Sequence, residues 1–169
     1  IGAAVTYTVG RKPYGYLGLG DLSVLVFFGI IGVMGSYYLF TKTVSWMEIF
    51  PAISIGLLSV AVLNVNNIRD IESDREAGKY SIPVRLGRRR AVIYHWIILS
   101  LAIVSALSYS LLVYDSPWQF LFMLAIPLFI RNGNAVATKS SELLDPYLRQ
   151  MAMSALLFVL LFGAGLMLA

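Results

Sequence analysis

Residues 46–79 read WMEIFPAISIGLLSVAVLNVNNIRDIESDREAGK, and the change of character at Asn66 organises everything around it. Trp46–Val65 is apolar and long enough to cross a membrane, since about 30 Å of hydrocarbon at 1.5 Å per residue needs roughly 20 residues. The next residues are polar and charged. Half of the charge in the chain follows: 11 of its 22 charged residues lie between Asn66 and Arg90.

The same alternation extends outward in both directions. Apolar runs cover Leu22–Phe40, Trp46–Val65, Ala91–Val113, Pro117–Ile130 and Met151–Ala169. The fourth is short and is expected to begin or end inside protein. Ile1–Tyr7 reads as the end of a sixth span, and a chain opening on Ile reads as part of a longer one. The expected fold is an all-α, multi-span transmembrane bundle of about five full spans plus the end of a sixth, with residues 1–169 as one transmembrane domain. Composition agrees. Hydrophobic residues make up 59% of the 169 residues, charged residues 13%, and mean hydropathy is +0.78. Soluble domains carry about 25% charged residues. These values exclude a disordered chain and a nucleic-acid-binding module. The absence of cysteine excludes disulfide scaffolds and thiolate chemistry.

If each run crosses once, 12 of the 13 cationic residues share one side, with Lys42 alone on the other. The positive-inside rule makes the crowded side cytoplasmic. Glycines 29, 32, 35, 163 and 165 read as places of close helix packing. Ser100, Ser105 and Ser108 read as bonded to their own helix backbone. His95 reads as a satisfied histidine near the membrane interface.

The polar stretch holds the candidate chemistry. Asn66, Asp70 and Asp74 are spaced by four, which places their oxygens on one helix face. Like charges at that spacing repel, so a helix gains nothing from the pair unless a cation lies between them. Oxygen-only donors suit Mg²⁺, which binds one or two carboxylates together with substrate phosphates. Arg69, Arg75 and Lys79 offer donors to phosphate oxygens. Gly78 marks a helix end. The bland alternative is a solvated loop with local ion pairs. The tract Arg85–Arg90 reads as a topology anchor and lipid-headgroup contact. Arg11 and Lys12, beside Pro13, serve either topology or an anionic group.

The pattern Asn66-Asn67-Ile68-Arg69-Asp70-x-x-x-Asp74-x-x-x-Gly78-Lys79 resembles the second aspartate-rich motif of the UbiA superfamily of intramembrane prenyltransferases. With Leu86-Gly87-Arg88-Arg89 and the early Tyr7-Thr8…Lys12-Pro13…Tyr16-Leu17-Gly18-Leu19-Gly20-Asp21, it is most similar to the branch that prenylates 1,4-dihydroxy-2-naphthoate on the way to menaquinone. The resemblance implies the C-terminal part of a nine-span enzyme in the bacterial inner membrane, with its active site facing the cytoplasm. It implies Mg²⁺ on Asn66, Asp70 and Asp74, with Asp70 and Asp74 catalytic. It implies Arg69, Lys79, Lys12 and Arg11 on the diphosphate of a polyprenyl diphosphate. Tyr7, Asn67 and Tyr37 would line the substrate and cation pocket. The superfamily's first aspartate-rich motif has no counterpart here, so the 169 residues alone are expected to be inactive. Other acceptors (4-hydroxybenzoate, homogentisate), a transporter and a non-catalytic lipid-binding scaffold remain open at this point.

Overall fold

The computed structural model describes residues 14–169. Tyr7, Arg11 and Lys12 lie outside the described residues. Five long helices dominate: α1 (Gly20–Thr41), α2 (Trp46–Arg69), α5 (Arg88–Leu112), α6 (Pro117–Thr138) and α7 (Asp145–Met167). Two short helices, α3 (Ile71–Glu76) and α4 (Ile82–Leu86), lie between α2 and α5. Among the described residues there is no strand. Each long helix is apolar and long enough to span a bilayer.

The helices alternate in direction because the connections 42–45 and 113–116 are too short for anything else. Segments 14–19, 70–87 and 139–144 therefore gather at one end of the bundle. Ser45 and Ser116 start α2 and α6 by accepting backbone N–H bonds from Met47 and Trp118, and Gln119 completes a capping box.

α2 is the central helix and packs against α1, α5 and α7. A close crossing seats α1 on it. A Cβ added to Gly29 would lie 2.5 Å from the Ala52 carbonyl oxygen and 2.8 Å from Gly56 Cα. Gly29 is thus a packing glycine, and Gly165 faces the Trp118 backbone in the same way. Gly32, Gly35 and Gly163 are not: Gly32 meets only Phe27 of its own helix, Gly35 a side chain of its own helix at 4.0 Å, and Gly163 nothing within 4 Å. Gly56 and Gly133 join the set instead, the latter facing the Trp96 ring.

Phe122, Phe129 and Phe158 fill the centre with Leu58, Val65, Ile98 and Leu99. Phe122 meets Phe158 edge-on at 5.2 Å. In lipid such packing, with interhelical hydrogen bonds, holds helices together, since burial against other helices offers little gain over lipid tails.

Two expectations shift here. The fourth span runs to Thr138 and the fifth begins at Asp145, so the connection is shorter than Arg131–Gln150. Hydropathy ended both runs early because Asn132 and Gln150 are polar, yet they satisfy one another. Asn132 Nδ2 donates to the Tyr147 carbonyl at 2.8 Å and to Gln150 Oε1 at 2.6 Å. Gln150 Nε2 donates to the Leu128 carbonyl at 3.0 Å. His95 joins this network, fully buried and, as expected, satisfied. Its Nε2 lies 3.1 Å from Asn132 Oδ1 and its Nδ1 3.3 Å from Asn64 Nδ2. The Asn132 amide is oriented by its two acceptors, so Nε2 carries the proton and Nδ1 accepts. The imidazole joins α5 to α2 and α6, and Asn132 extends the network to α7. Ser108 donates to its own helix at Val104, as expected, but Ser105 crosses to the Phe50 carbonyl of α2 at 2.8 Å.

Candidate active site

The acidic motif sits where α2 ends. Asp70 takes φ −95° and ψ 13°, a conformation outside the helical well, and bends the path into α3. The helical bonding pattern survives the bend, with Asp70 N–H on the Asn66 carbonyl at 3.0 Å and Asp74 N–H on the Asp70 carbonyl at 2.8 Å. α3 stops at Glu76. Gly78, at φ +70°, turns the chain so that Lys79 N–H returns to the Asp74 carbonyl at 2.8 Å. The helix end predicted from Gly78 is therefore present.

The predicted residues form two groups rather than one. In the first, three oxygens converge on Arg69. Its Nε donates to Asp70 Oδ1 at 2.7 Å, and its Nη2 to Asp70 Oδ2 at 2.9 Å and to Asn66 Oδ1 at 3.0 Å. Asn66 Nδ2 donates to Asp70 Oδ2 at 3.3 Å. The free arm of the guanidinium, Nη1, donates to Asp145 Oδ1 at 2.5 Å, at the first residue of α7. The Arg69 and Asp70 side chains are only 27% and 28% exposed, so this pair is better shielded than a surface ion pair.

In the second group, Lys79 Nζ lies 2.8 Å from Asp74 Oδ2 and 3.3 Å from Asn67 Oδ1. Ser81 donates to Asp74 Oδ2 at 3.4 Å. Asp74, Asn67 and Ser81 are buried. The structure thus brings Asn66 and Asp70 together and turns Asp74 toward Lys79. The Asp74 carboxylate bonds Lys79 and Ser81, not the side chains of Asn66 or Asp70. The two carboxylates of the motif thus take different cations, Asp70 the Arg69 guanidinium and Asp74 the Lys79 ammonium. Among the described residues Arg75 pairs only with Glu72, at 2.8 Å and with both side chains exposed, so it belongs to the solvated surface.

Tyr37 lies elsewhere. It is on the last turns of α1, at the end where 42–45 joins α1 to α2, whereas Asp70 is at the opposite end of α2. The structure does not bring Tyr37 to the acidic motif.

Two residues gain roles that the sequence did not reveal. Asp145 closes the Arg69 network from 76 residues away. Its available signal was a carboxylate followed by Pro146 at a helix start, on the same inferred side as the motif. Arg88 was grouped with the headgroup-contacting arginines. It instead ties the 139–141 segment to α5, donating to Ser141 Oγ at 2.9 Å, to the Val136 carbonyl at 3.1 Å and to the Lys139 carbonyl. Ser141 in turn donates to the Ile68 carbonyl at 3.1 Å, next to Arg69. Arg89 and Arg90 are exposed, in keeping with a headgroup contact.

Beneath the first group an open cavity of about 1080 Å³ runs between α1, α2 and α7. Asn66, Asp145 and Arg149 form its polar end. Leu63, Val62 and Ser59 descend one wall, Leu148, Ala152 and Ala155 the other, and Val24 and Phe28 close the side. Arg149 has no carboxylate partner among the described residues.

Among the described residues no three His, Cys, Asp or Glu side chains stand close enough to hold a metal by themselves. Mg²⁺ does not require that, because it keeps waters and shares its ligands with phosphates. The test is whether hard oxygens converge on one cation. Asn66 Oδ1 and both Asp70 oxygens already do so, around the Arg69 guanidinium. This half of the motif fits a divalent ion.

The UbiA prenyltransferase family profile matches residues 1–156, and the chain belongs to that family. It is 49% identical over 98% of its length to the 1,4-dihydroxy-2-naphthoate octaprenyltransferase of Haemophilus influenzae, and 47% identical over 99% to that of Escherichia coli. The protein of that name from Mycobacterium tuberculosis is 36% identical over 98%. The chain spans 54% of the first two relatives and 56% of the third, about half the length of the curated relatives it matches. No solved structure matches. Five apolar helices long enough to span a bilayer, together with this family, make this an integral membrane protein.

Proposed function

We propose that the complete protein transfers a polyprenyl group from its diphosphate to 1,4-dihydroxy-2-naphthoate at the cytoplasmic face of a bacterial inner membrane. The observation that supports this most is the union of a polar, cation-gripping lip with an apolar cavity directly beneath it. One substrate with a charged head and a long hydrocarbon tail needs both. The relatives named above carry this acceptor in their names.

Asn66 and Asp70, with Asp74 beside them, are the residues to hold Mg²⁺, which when bound supplies positive charge to the leaving diphosphate. Arg69 and Lys79 add N–H donors to the remaining phosphate oxygens. Their effect is greatest as the C–O bond breaks and its electron pair passes to the diphosphate. Val62, Leu63, Ala152 and Ala155 give the allylic cation apolar surroundings on the cavity walls. An electron pair of the acceptor ring forms the new C–C bond. The ring's bond to its carboxylate breaks, CO₂ leaves, and that electron pair returns to the ring. Arg149, at the cavity's polar end and without a carboxylate partner among the described residues, is the cation suited to hold the acceptor's carboxylate before it leaves.

The buried polar groups disfavour a transporter. Asn64, His95, Asn132 and Gln150 bond one another across four helices instead of lining a path.

The assay is transfer by the complete protein, in detergent or vesicles, from a polyprenyl diphosphate to 1,4-dihydroxy-2-naphthoate, 4-hydroxybenzoate and homogentisate in parallel. Prenylated naphthoquinol and CO₂, formed with Mg²⁺ and lost with EDTA, are expected. Solute flux without transfer would overturn the reading. Arg149→Gln is expected to raise KM for the naphthoate by about ten-fold or more while leaving KM for the prenyl diphosphate within about two-fold. The reverse split would assign Arg149 to the diphosphate.

A further inference from the structure

Arg69 and a bound metal would use the same oxygens. Every donor of the Arg69 fork that faces the motif ends on Asn66 Oδ1, Asp70 Oδ1 or Asp70 Oδ2. A divalent cation and a guanidinium cannot share those atoms at close range, because their charges repel and each oxygen has few free lone pairs. The remaining arm points the other way, to Asp145 on α7. The Asp145 side chain is 73% exposed and its Oδ2 makes no hydrogen bond among the described residues, so it has room for a second N–H. The guanidinium is thus held between two carboxylates, one belonging to the metal motif and one outside it.

We propose that Arg69 is a resident cation that keeps the Asn66–Asp70 oxygens converged, and that Asp145 is the seat onto which it withdraws when a divalent ion binds. This inference rests on the transferase reading and adds a positioning role for Asp145, a residue outside the acidic motif. Before metal arrives, Arg69 offsets the carboxylate charge of Asp70 and fixes its rotamer. On exchange, Arg69 keeps one partner throughout, so it is never left uncompensated at the edge of an apolar cavity. From Asp145 it remains beside the polar end of the cavity, where a diphosphate would lie. Asp145 acts through Arg69, and α7 is thereby tied to the state of the motif on α2.

The sign of the expected effect separates this role from that of an ordinary phosphate ligand. Mn²⁺ binding to the complete protein, read by electron paramagnetic resonance with no substrate present, is the first measurement. Arg69→Gln removes the competing cation and should tighten Mn²⁺ by about ten-fold, while inorganic pyrophosphate binding in the presence of Mn²⁺ weakens by a similar factor. Asp145→Asn removes the seat and should weaken Mn²⁺ several-fold. The double variant should match Arg69→Gln alone, as a residue acting through Arg69 requires. Arg69→Lys, which keeps the charge without the fork, should fall between wild type and Arg69→Gln and serves if the glutamine variant does not fold. Unchanged or weaker Mn²⁺ binding in both Arg69 variants would overturn the proposal. So would an Asp145→Asn effect that persists in the Arg69→Gln background. If wild type binds Mn²⁺ and transfers prenyl groups while these variants fail the pattern, the exchange is wrong and the transferase reading stands. If wild type shows neither binding nor transfer, the transferase reading itself fails.

Discussion

Asp70→Ala in the complete protein is expected to lower Mg²⁺-dependent prenyl transfer by about a thousand-fold, a loss of roughly 4 kcal/mol in transition-state stabilisation. Three consequences of the geometry converge on this residue. Asp70 is the carboxylate on which Asn66 and Arg69 both close, so removing it takes away two of the three convergent oxygens. It also releases Arg69, whose remaining partners are Asn66 and Asp145. Finally, Asp70 sits at the bend between α2 and α3, where its side chain is only 28% exposed. Asp70→Asn keeps the volume and one acceptor oxygen and should still lose most of the activity, since the missing charge is what offsets a cation. Glu72→Gln is the control. Glu72, two residues on in α3, is exposed and among the described residues pairs only with Arg75, so its loss should change the rate less than about two-fold. Initial rates with saturating substrates and varied Mg²⁺ distinguish these outcomes.

Gly29→Leu is expected to remove α1 from its seat. The first added carbon would already lie inside the contact distance of the α2 backbone at Ala52 and Gly56, and backbone cannot move aside as a side-chain tip can. Overpacking a core by a methylene or two costs about 1–3 kcal/mol, and a four-carbon side chain against main chain exceeds that. Besides this crossing, α1 is tied to α5 by the Tyr94 hydroxyl, which donates to Asp21 Oδ2 at 2.8 Å. Val24 and Phe28 would leave the cavity wall with it. A fall of about 10 °C or more in the melting temperature of the detergent-solubilised protein is expected, together with loss of transfer. Gly163→Leu, at a glycine with nothing within 4 Å, should melt within about 2 °C of wild type.

The contrast between these two glycines shows where sequence stops being informative. Both stand in apolar runs and read alike. Which one faces a backbone depends on how the helices cross, and that is a tertiary fact. The five spans were readable because hydrocarbon thickness imposes a length and a composition on them. Their ends were not, because helices continue past the apolar limit wherever polar side chains find partners. Asn132 and Gln150 do so, and they carry α6 to Thr138 and start α7 at Asp145. Within the site, Asn66, Arg69 and Asp70 were readable because they are close in sequence. The pairing of Asp74 with Lys79 depends on the Gly78 turn, which reverses the chain after α3. Asp145 and Arg88 were not readable as site supports, since each reaches its partners across 48 or more residues.

A structure of the complete protein with Mn²⁺ and a non-hydrolysable prenyl thiodiphosphate would examine the central claim most directly, by the anomalous signal of the metal. The account predicts the ion on oxygens of Asn66 and Asp70, the diphosphate within reach of Lys79 and Arg69, and the prenyl chain passing Leu63 and Ala152. Finding the metal and diphosphate elsewhere, with Arg69 still bonded to both Asp70 oxygens, would contradict it.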